Sequence, residues 1–127
     1  MPKTKKIKPN PSGSELHAHR ISELMLDKKA LDIKIIDVRT ITTLTDFFVI
    51  CTSESEPQSR AITDHVNETM KKEGTASWHT EGYQYLDWVL VDFVSIVVHI
   101  FSKKAREYYE FERLWADGYI TDIQDKK

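Results

Sequence analysis

The feature that most constrains the fold is the apolar segment DFFVIC, at residues 46–51. Side chains alternate across a β-strand, so the odd-numbered residues from Phe47 face one side, and Phe48 and Ile50 face the other. Both sets are apolar, which is typical of a strand in the interior of a sheet. The segment therefore predicts a central strand that is covered on both sides.

Two segments have the periodicity of amphipathic helices. The first begins at Ser14 and ends near Lys29, where the helix dipole favours a cation. The second begins at Ser55, which forms a capping box with Gln58. Its apolar positions recur on one face until Gly74, which is a good C-terminal stop.

Runs of β-branched and aromatic residues predict the strands, and a third helix follows the last of them. The strands are expected at residues 33–38, 46–51, 76–81, 88–92 and 96–101. The third helix follows Ser102, and its apolar positions at helical spacing are Tyr108, Phe111 and Trp115. Because helices and strands mix in one chain, we predict an α/β fold, with a mixed sheet of about five strands covered by helices.

One domain accounts for most of the 127 residues. We place it at residues 14–120, after a basic tail at 1–13 that is expected to be disordered and before a short polar tail at 121–127. Beyond the basic tail, the chain carries 14 basic and 20 acidic side chains, a net charge of −6. Such an acidic body argues against a nucleic-acid-binding face, because phosphate contacts need clustered cations. The basic tail leaves a weak contact with RNA open.

The chain lacks the long apolar segments that are typical of membrane proteins and of secretion signals. No stretch is long enough to cross a membrane, and the N-terminus lacks the apolar core of a secretion signal. The single Cys51 lies in an apolar run and is expected to be a small buried residue that forms no intramolecular disulfide. These features predict a cytoplasmic protein without a membrane partner.

Three aspartates at predicted strand ends could form a catalytic site; they are Asp37, Asp46 and Asp92. Carboxylates that converge at one sheet edge can hold magnesium for phosphoryl transfer, or each can cap a turn. The sequence has no glycine-rich loop to cradle a phosphate, and its histidines have no zinc-binding spacing. His99 interrupts an apolar strand and is interpreted as a hydrogen-bonded structural residue.

Aromatic residues concentrate between Trp78 and Phe93. Some of them serve the core, and Trp88, beside two apolar residues, is a candidate for that role. Trp78 and Tyr83 are harder to bury, and large amphipathic side chains on loops or strand edges are typical anchors of protein interfaces. This concentration predicts a protein-binding surface.

Two ordered sets of short motifs cover about residues 15–118. The first set comprises Asp32-Ile33, Asp37-Val38-Arg39, Thr45-Asp46-Phe47-Phe48-Val49-Ile50, Ser55, Gln58 and Ala61. The second set comprises Glu81-Gly82, Trp88, Leu90, Asp92, Val97-Val98-His99-Ile100-Phe101, Arg106, Tyr108-Tyr109, Glu112, Leu114-Trp115 and Asp117. In order and spacing, these motifs resemble the ribosomal silencing factor family, also called RsfS or Iojap.

The resemblance implies a small α/β domain, similar in shape to nucleotidyltransferases, that is not an enzyme and needs no cofactor. It implies binding to the large ribosomal subunit, through the large-subunit protein numbered fourteen at the subunit interface. Occupying that protein would block joining of the small subunit and repress translation, chiefly when nutrients are scarce. It also implies that the free protein is a homodimer.

The resemblance and the aromatic residues together predict a partner-binding surface. Its expected members, as direct contacts or as support, are Trp78, Glu81, Tyr83, Trp88, Asp92 and His99, with Lys103, Lys104 and Arg106 as rim charges. Rim charges of this kind could meet an acidic patch or ribosomal RNA. Two alternatives stay open: a magnesium-dependent enzyme of the nucleotidyltransferase type that uses the three aspartates, and a homodimeric adaptor with another protein partner.

One motif departs from the pattern of the family. Val94-Ser95 stands between the last two predicted strands, where the family usually has Gly-Asp. Glycine permits the positive φ of a tight turn, and valine resists it. We therefore expect a hairpin turn of another type or length.

Overall fold

The predicted strands pair into one mixed sheet in the computed structural model, which describes residues 13–124. The elements in chain order are α1 (Gly13–Asp27), β1 (Leu31–Asp37), β2 (Phe47–Ser53), α2 (Glu56–Lys72), β3 (His79–Glu81), β4 (Trp88–Asp92), β5 (Ile96–Ser102), α3 (Lys103–Tyr109), α4 (Phe111–Leu114) and β6 (Tyr119–Ile123). The prediction of an α/β fold with a mixed sheet is confirmed, with six strands instead of about five.

The strand order explains why the segment at 46–51 is apolar on both faces. The order is β3-β4-β5-β2-β1-β6, in which β2 and β5 are parallel and the other neighbours are antiparallel. The strand β2 therefore lies inside the sheet, and every residue from Phe47 to Ser53 is buried. Fully burying a side chain such as Phe47 contributes about 1.5–3 kcal/mol.

The two faces of the sheet are covered unequally. The long helices α1 and α2 pack on one face, where Ile21, Ile62 and Val49 are completely buried. The short helices α3 and α4 pack on the other face, where they help to bury Phe48 and Phe101. We call the partly exposed surface on this second side the open face; its members are Trp88, Leu90, Val97, Tyr109, Trp115 and Ile120.

The second helix begins at the predicted cap. Ser55 has an extended backbone, and its hydroxyl accepts a hydrogen bond from the N–H of Gln58 at 3.1 Å. The side-chain oxygen of Gln58 accepts from the N–H of Glu54 at 2.7 Å, and its amide donates to the carbonyls of Lys28 and Lys29. Gln58 therefore caps α2 and also joins it to the end of α1.

The third helix differs from its prediction because it divides at Glu110. That residue has a φ of 48°, which ends α3 and starts α4. Residues two positions apart face different sides of an uninterrupted helix. The break lets both Tyr109 and Phe111 reach the sheet, where their rings contact Trp88 and His99.

The C-terminal boundary also differs from its prediction. The segment 121–127 was expected to be a polar tail, but its first three residues belong to β6, which pairs with β1 as far as Ile123. The tail expected at 1–13 lies outside the described residues except for Gly13, the first residue of α1. Across residues 13–124, no helix is long and apolar enough to cross a bilayer.

Valine does not avoid a positive φ in the turn between β4 and β5. Val94 has a φ of 74°, and the N–H of Ser95 donates to the carbonyl of Phe93 at 2.9 Å. This is a γ-turn of the positive-φ form, which is rare and strained. The side chain of Asp92 supports it by accepting a hydrogen bond from the N–H of Val94 at 2.7 Å.

Candidate functional site

An aromatic cluster underlies the open face. Its members are Phe48, Trp88, His99, Phe101, Tyr109, Phe111 and Trp115. The ring centroids of His99 and Phe111 lie 4.4 Å apart, and those of Phe48 and Trp115 lie 4.8 Å apart. Each such pair contributes about 0.5–1.5 kcal/mol beyond its buried area. The cluster therefore attaches α3 and α4 firmly to the sheet.

His99 lies in the middle of this cluster and is only 4% exposed. Its Nδ1 atom accepts a hydrogen bond from the indole N–H of Trp88, with a donor–acceptor distance of 2.9 Å. Burial lowers the pKa of His99 to about 3, so the imidazole is neutral at pH 7. These contacts are those of the structural histidine that the sequence predicted.

Polar residues border the open face at its β3 edge. Glu81 pairs with Leu90, and His79 pairs with Asp92, across the two strands. A carboxylate oxygen of Glu81 lies 2.7 Å from the Nε2 atom of His79. Trp78 precedes β3, is 72% exposed and contacts the His79 ring. An apolar centre with a polar rim is the usual composition of a protein-binding surface.

Exposed apolar side chains continue this surface across α3 and α4. Tyr108, Tyr109 and Leu114 are all exposed. Single exposed apolar residues are normal, but Tyr108 contacts Tyr109, which in turn contacts Trp88 of the open face. Such a group of exposed rings beside a partly exposed sheet face indicates an interaction site. The open face, the β3 edge with Trp78 and this helical ridge together form the candidate functional site.

The aspartates that could have held magnesium have other partners. The guanidinium of Arg39 donates to the carboxylate of Asp37 at 2.7 Å, and the hydroxyl of Ser14 donates to that of Asp46 at 3.1 Å. The N–H of Val94 donates to the carboxylate of Asp92 at 2.7 Å. In the part of the chain that the structure describes, no group of three or more side chains could hold a metal ion. Cys51 is completely buried, and burial raises the pKa of its thiol to about 12, so it is not a thiolate at neutral pH.

Known proteins match this chain in sequence. A family model described as "Ribosomal silencing factor during starvation" matches residues 11–127. The chain belongs to the ribosomal silencing factor (RsfS) family. A ribosomal silencing factor RsfS from Halalkalibacterium halodurans is 36% identical over 98 residues, which cover 77% of this chain and 84% of that protein.

Two further matches extend this result. A mouse protein named "Mitochondrial assembly of ribosomal large subunit protein 1" is 30% identical over 116 residues, 87% of this chain and 51% of its own length. A crystal structure of a protein from Chromobacterium violaceum has a TM-score of 0.78 and 28% identity, and the match covers 89% of both chains. The resemblance to the RsfS family that the sequence motifs indicated is thus confirmed.

The structure brings together most of the RsfS-family residues predicted for partner binding. Those on the open face, beneath it or at its edge are Trp78, Glu81, Trp88, Asp92 and His99. Asp92 supports the β4–β5 turn, and His99 supports Trp88. The part of each in binding stays a prediction.

Tyr83 lies away from this group. Its hydroxyl donates to the carboxylate of Asp64 on α2 at 3.0 Å, and the guanidinium of Arg60 lies over its ring. Because α2 packs on the opposite face of the sheet, Tyr83 belongs to that side. Lys103 and Lys104 are exposed at the start of α3, where they line a cavity of about 340 Å³ beside the N-terminus of α2.

Arg106 is not the exposed rim charge that the sequence predicted. Its guanidinium donates to both oxygens of Glu112, to the hydroxyl of Thr52 and to the carbonyl of Asp32, at 2.8–3.0 Å. Only 10% of the Arg106 side chain is exposed. A planar guanidinium has five donors in a fixed fork, so it can join several acceptors at once. Arg106 therefore fastens α3 to α4, β1 and β2.

Sequence reasoning missed several residues of the candidate site, and three of them differ in the signal that the sequence offered. Leu90 lies two positions from Trp88 on β4, so strand alternation was a signal that the two share a face. His79 occupies the β3 edge, and its position follows from its pairing with Asp92. Tyr109 gave no such signal, because its contact with Trp88 depends on where α3 ends.

Proposed function

We propose that the protein binds the large ribosomal subunit through the open face and blocks joining of the small subunit, which represses translation. The partner on that subunit is the protein numbered fourteen, and the compartment is the cytoplasm. One observation carries the proposal: a chain of the RsfS family presents a partly exposed apolar face on a sheet whose other face is covered. The names of its relatives, which refer to ribosomal silencing and to the large subunit, support it.

Blocking subunit joining requires only steric occlusion of the site where the small subunit docks, and no catalytic step. The aromatic cluster holds α3 and α4 against the sheet, so the surface is organised before the partner arrives. A preorganised surface avoids part of the entropy cost of ordering side chains on binding. The assignment as a non-enzyme follows from this mechanism.

The size of a stable interface indicates how far the surface extends. A typical interface takes about 20–30 residues from each partner, which is more than the open face supplies. The binding surface therefore includes the β3 edge with Trp78 and the ridge formed by Tyr108, Tyr109 and Leu114. Large aromatic anchors of this kind contribute the most to binding in other interfaces.

Sedimentation in sucrose gradients tests the proposal with purified ribosomal subunits. We expect the protein to move with the large subunit and not with the small one, and to reduce the yield of joined ribosomes. The position of the free protein in the same gradient tests the expected homodimer. Migration with joined ribosomes but not with isolated large subunits would contradict the proposal and favour an adaptor with another partner.

A matched pair of variants locates the surface. Leu114 on α4 and Leu16 on α1 are exposed leucines on opposite sides of the sheet, at 75% and 73%. We expect Leu114→Ser to weaken binding to the large subunit about fivefold or more, and Leu16→Ser to change it less than twofold. Equal effects of the two substitutions would contradict the assignment of the open face.

A further inference from the structure

His99 is a polar residue at a place where an apolar one would be easier to bury. Its ring neighbours include Phe48, Phe101 and Phe111, with centroid distances of 4.4–6.0 Å. A buried donor without a partner is unfavourable, because its hydration is lost without replacement. A phenylalanine would fill the same space without a polar atom. Stability alone therefore does not account for an imidazole at this position.

The hydrogen bond to Trp88 fixes the tautomer of this imidazole. An indole N–H can only donate, so Nδ1 of His99 is the acceptor, 2.9 Å away. The proton of the neutral ring is then on Nε2, which finds no hydrogen-bond partner within residues 13–124. Because burial lowers the pKa of His99 to about 3, the acceptor persists across the neutral pH range.

The same hydrogen bond determines how Trp88 is presented. The rings of Phe101 and Tyr109 contact the indole at centroid distances of 5.0 and 4.8 Å, in tilted arrangements. Such ring contacts tolerate sliding and rotation, whereas an N–H···N bond is directional and fixes which edge of the indole turns inward. With that edge held at His99, the exposed part of Trp88 lies on the open face.

We propose that His99 is a positioning residue for partner binding, which holds the indole of Trp88 in the orientation that the partner meets. The inference rests on the proposed function, because it assigns His99 a part in binding at the open face. It gives two residues of the candidate site different roles. Trp88 contacts the partner, and His99 acts through Trp88 from beneath the surface.

A double-mutant cycle on large-subunit binding tests the proposal, with His99→Phe, Trp88→Phe and the two together. Phenylalanine keeps a ring at either position and removes the N–H···N bond. We expect His99→Phe to weaken binding about fivefold to tenfold, because the free energy of one hydrogen bond no longer holds the indole in the binding orientation. It should have no further effect once Trp88 is replaced, because the bond is then already absent. Losses that multiply in the double variant would overturn the proposal.

The fluorescence of Trp88 provides a second, independent test. In a chain that carries Trp78→Phe and Trp115→Phe, Trp88 is the one tryptophan left of three. We expect His99→Phe to shift its emission and to increase its quenching by acrylamide, with the urea midpoint unchanged or higher. His99→Asn retains an acceptor near the position of Nδ1 and should restore the parent emission in part. Unchanged emission and quenching in His99→Phe, or no restoration by His99→Asn, would overturn the proposal.

A substitute variant and the two separate readouts distinguish a failure of this proposal from a failure of the proposed function. His99→Leu also lacks the acceptor and replaces His99→Phe in both tests if the latter does not fold. If the unaltered protein fails to sediment with large subunits, the proposed function is wrong, and the emission of Trp88 alone decides whether His99 orients it. If the unaltered protein binds and the emission does not change in His99→Phe, only the role of His99 is wrong.

Discussion

At the scale of single residues, Gly82 is a position where the backbone leaves no room for a side chain. Its φ is 82°, and a Cβ there would lie 2.2 Å from the carbonyl oxygen of Trp88. Both the torsion angle and the close approach require glycine. Because the approach is to the first residue of β4, Gly82 sets how the loop before that strand meets the open face.

We expect Gly82→Ala to lower the free energy of unfolding by about 3 kcal/mol or more, measured by urea denaturation. Gly74→Ala is the matched control, because Gly74 has a φ of 102° but nothing within 4 Å of its Cβ position. Its cost should be about 1–2 kcal/mol, that of a left-handed backbone alone. Equal losses in the two variants would show that the contact with Trp88 contributes nothing.

Val94 is a residue whose replacement should stabilise the protein. A β-branched side chain at a φ of 74° is strained, and glycine would relieve that strain at some cost in chain entropy. We expect Val94→Gly to raise the free energy of unfolding by about 1 kcal/mol in urea denaturation. Val94→Ala keeps the positive φ and should gain less. A loss of stability in Val94→Gly would mean that the turn carries no strain.

At the scale of elements, Arg106 holds the α3–α4 segment on the sheet. Burial raises the pKa of Glu112, but the hydrogen bonds and the charge of Arg106, together with a backbone hydrogen bond and the charge of Lys34, outweigh it and hold that pKa below the ordinary value of 4.5. A carboxyl whose pKa is lower in the folded state stabilises the fold above its unfolded pKa. That contribution is lost as the pH falls through the folded pKa.

We expect Arg106→Met to lower the free energy of unfolding by about 2–3 kcal/mol at pH 7, because the buried Thr52 and the partly exposed carboxylate of Glu112 lose their donor. The difference from the unaltered protein should narrow as the pH falls below 4.5 and through the lower folded pKa of Glu112, where its carboxylate becomes protonated. Urea denaturation of both proteins at pH 7 and at a pH below 4.5 measures the difference. Arg113→Met, which removes an exposed pair with Glu110, should change stability by less than about 0.5 kcal/mol and serves as the control. A difference that stays constant with pH would contradict the role of Glu112.

At the scale of the whole molecule, charge distinguishes binding to protein from binding to RNA. Beyond the basic tail the chain has a net charge of −6, which opposes extensive contact with phosphates. A protein that makes 6–10 phosphate contacts loses about 10³–10⁵ in affinity between 50 and 200 mM salt. Binding through the proposed apolar surface does not require phosphate contacts, so it does not depend on salt in this way.

We therefore expect the affinity for the large subunit to fall less than about tenfold over that salt range, measured by sedimentation. A chain without residues 1–12, which hold Lys3, Lys5, Lys6 and Lys8, should show the same or a shallower salt dependence. A steep dependence that persists in the shortened chain would place the binding energy in contacts with ribosomal RNA and contradict the proposed surface.

The sequence by itself determined the elements whose signals are local. The apolar alternation at 46–51 indicated the interior strand, the Ser55–Gln58 pattern indicated the start of α2, and the flanks of His99 indicated a buried structural role. Each signal depends on side chains a few positions apart, which backbone geometry alone relates to one another. The ordered motifs indicated the family because their residues and their spacing along the chain are similar to those of its members.

Only the tertiary structure decided which face of the sheet stays open and which residues share it. The break at Glu110, the pairing of β6 and the inward turn of Arg106 all depend on partners distant in sequence, such as Trp88 for Tyr109 and Thr52 for Arg106. Tyr83, which was expected at the partner-binding surface, lies on the α2 side because its hydroxyl donates to Asp64, 19 positions away. No local pattern records such contacts, because their free energy exists only once the strands have taken their order in the sheet.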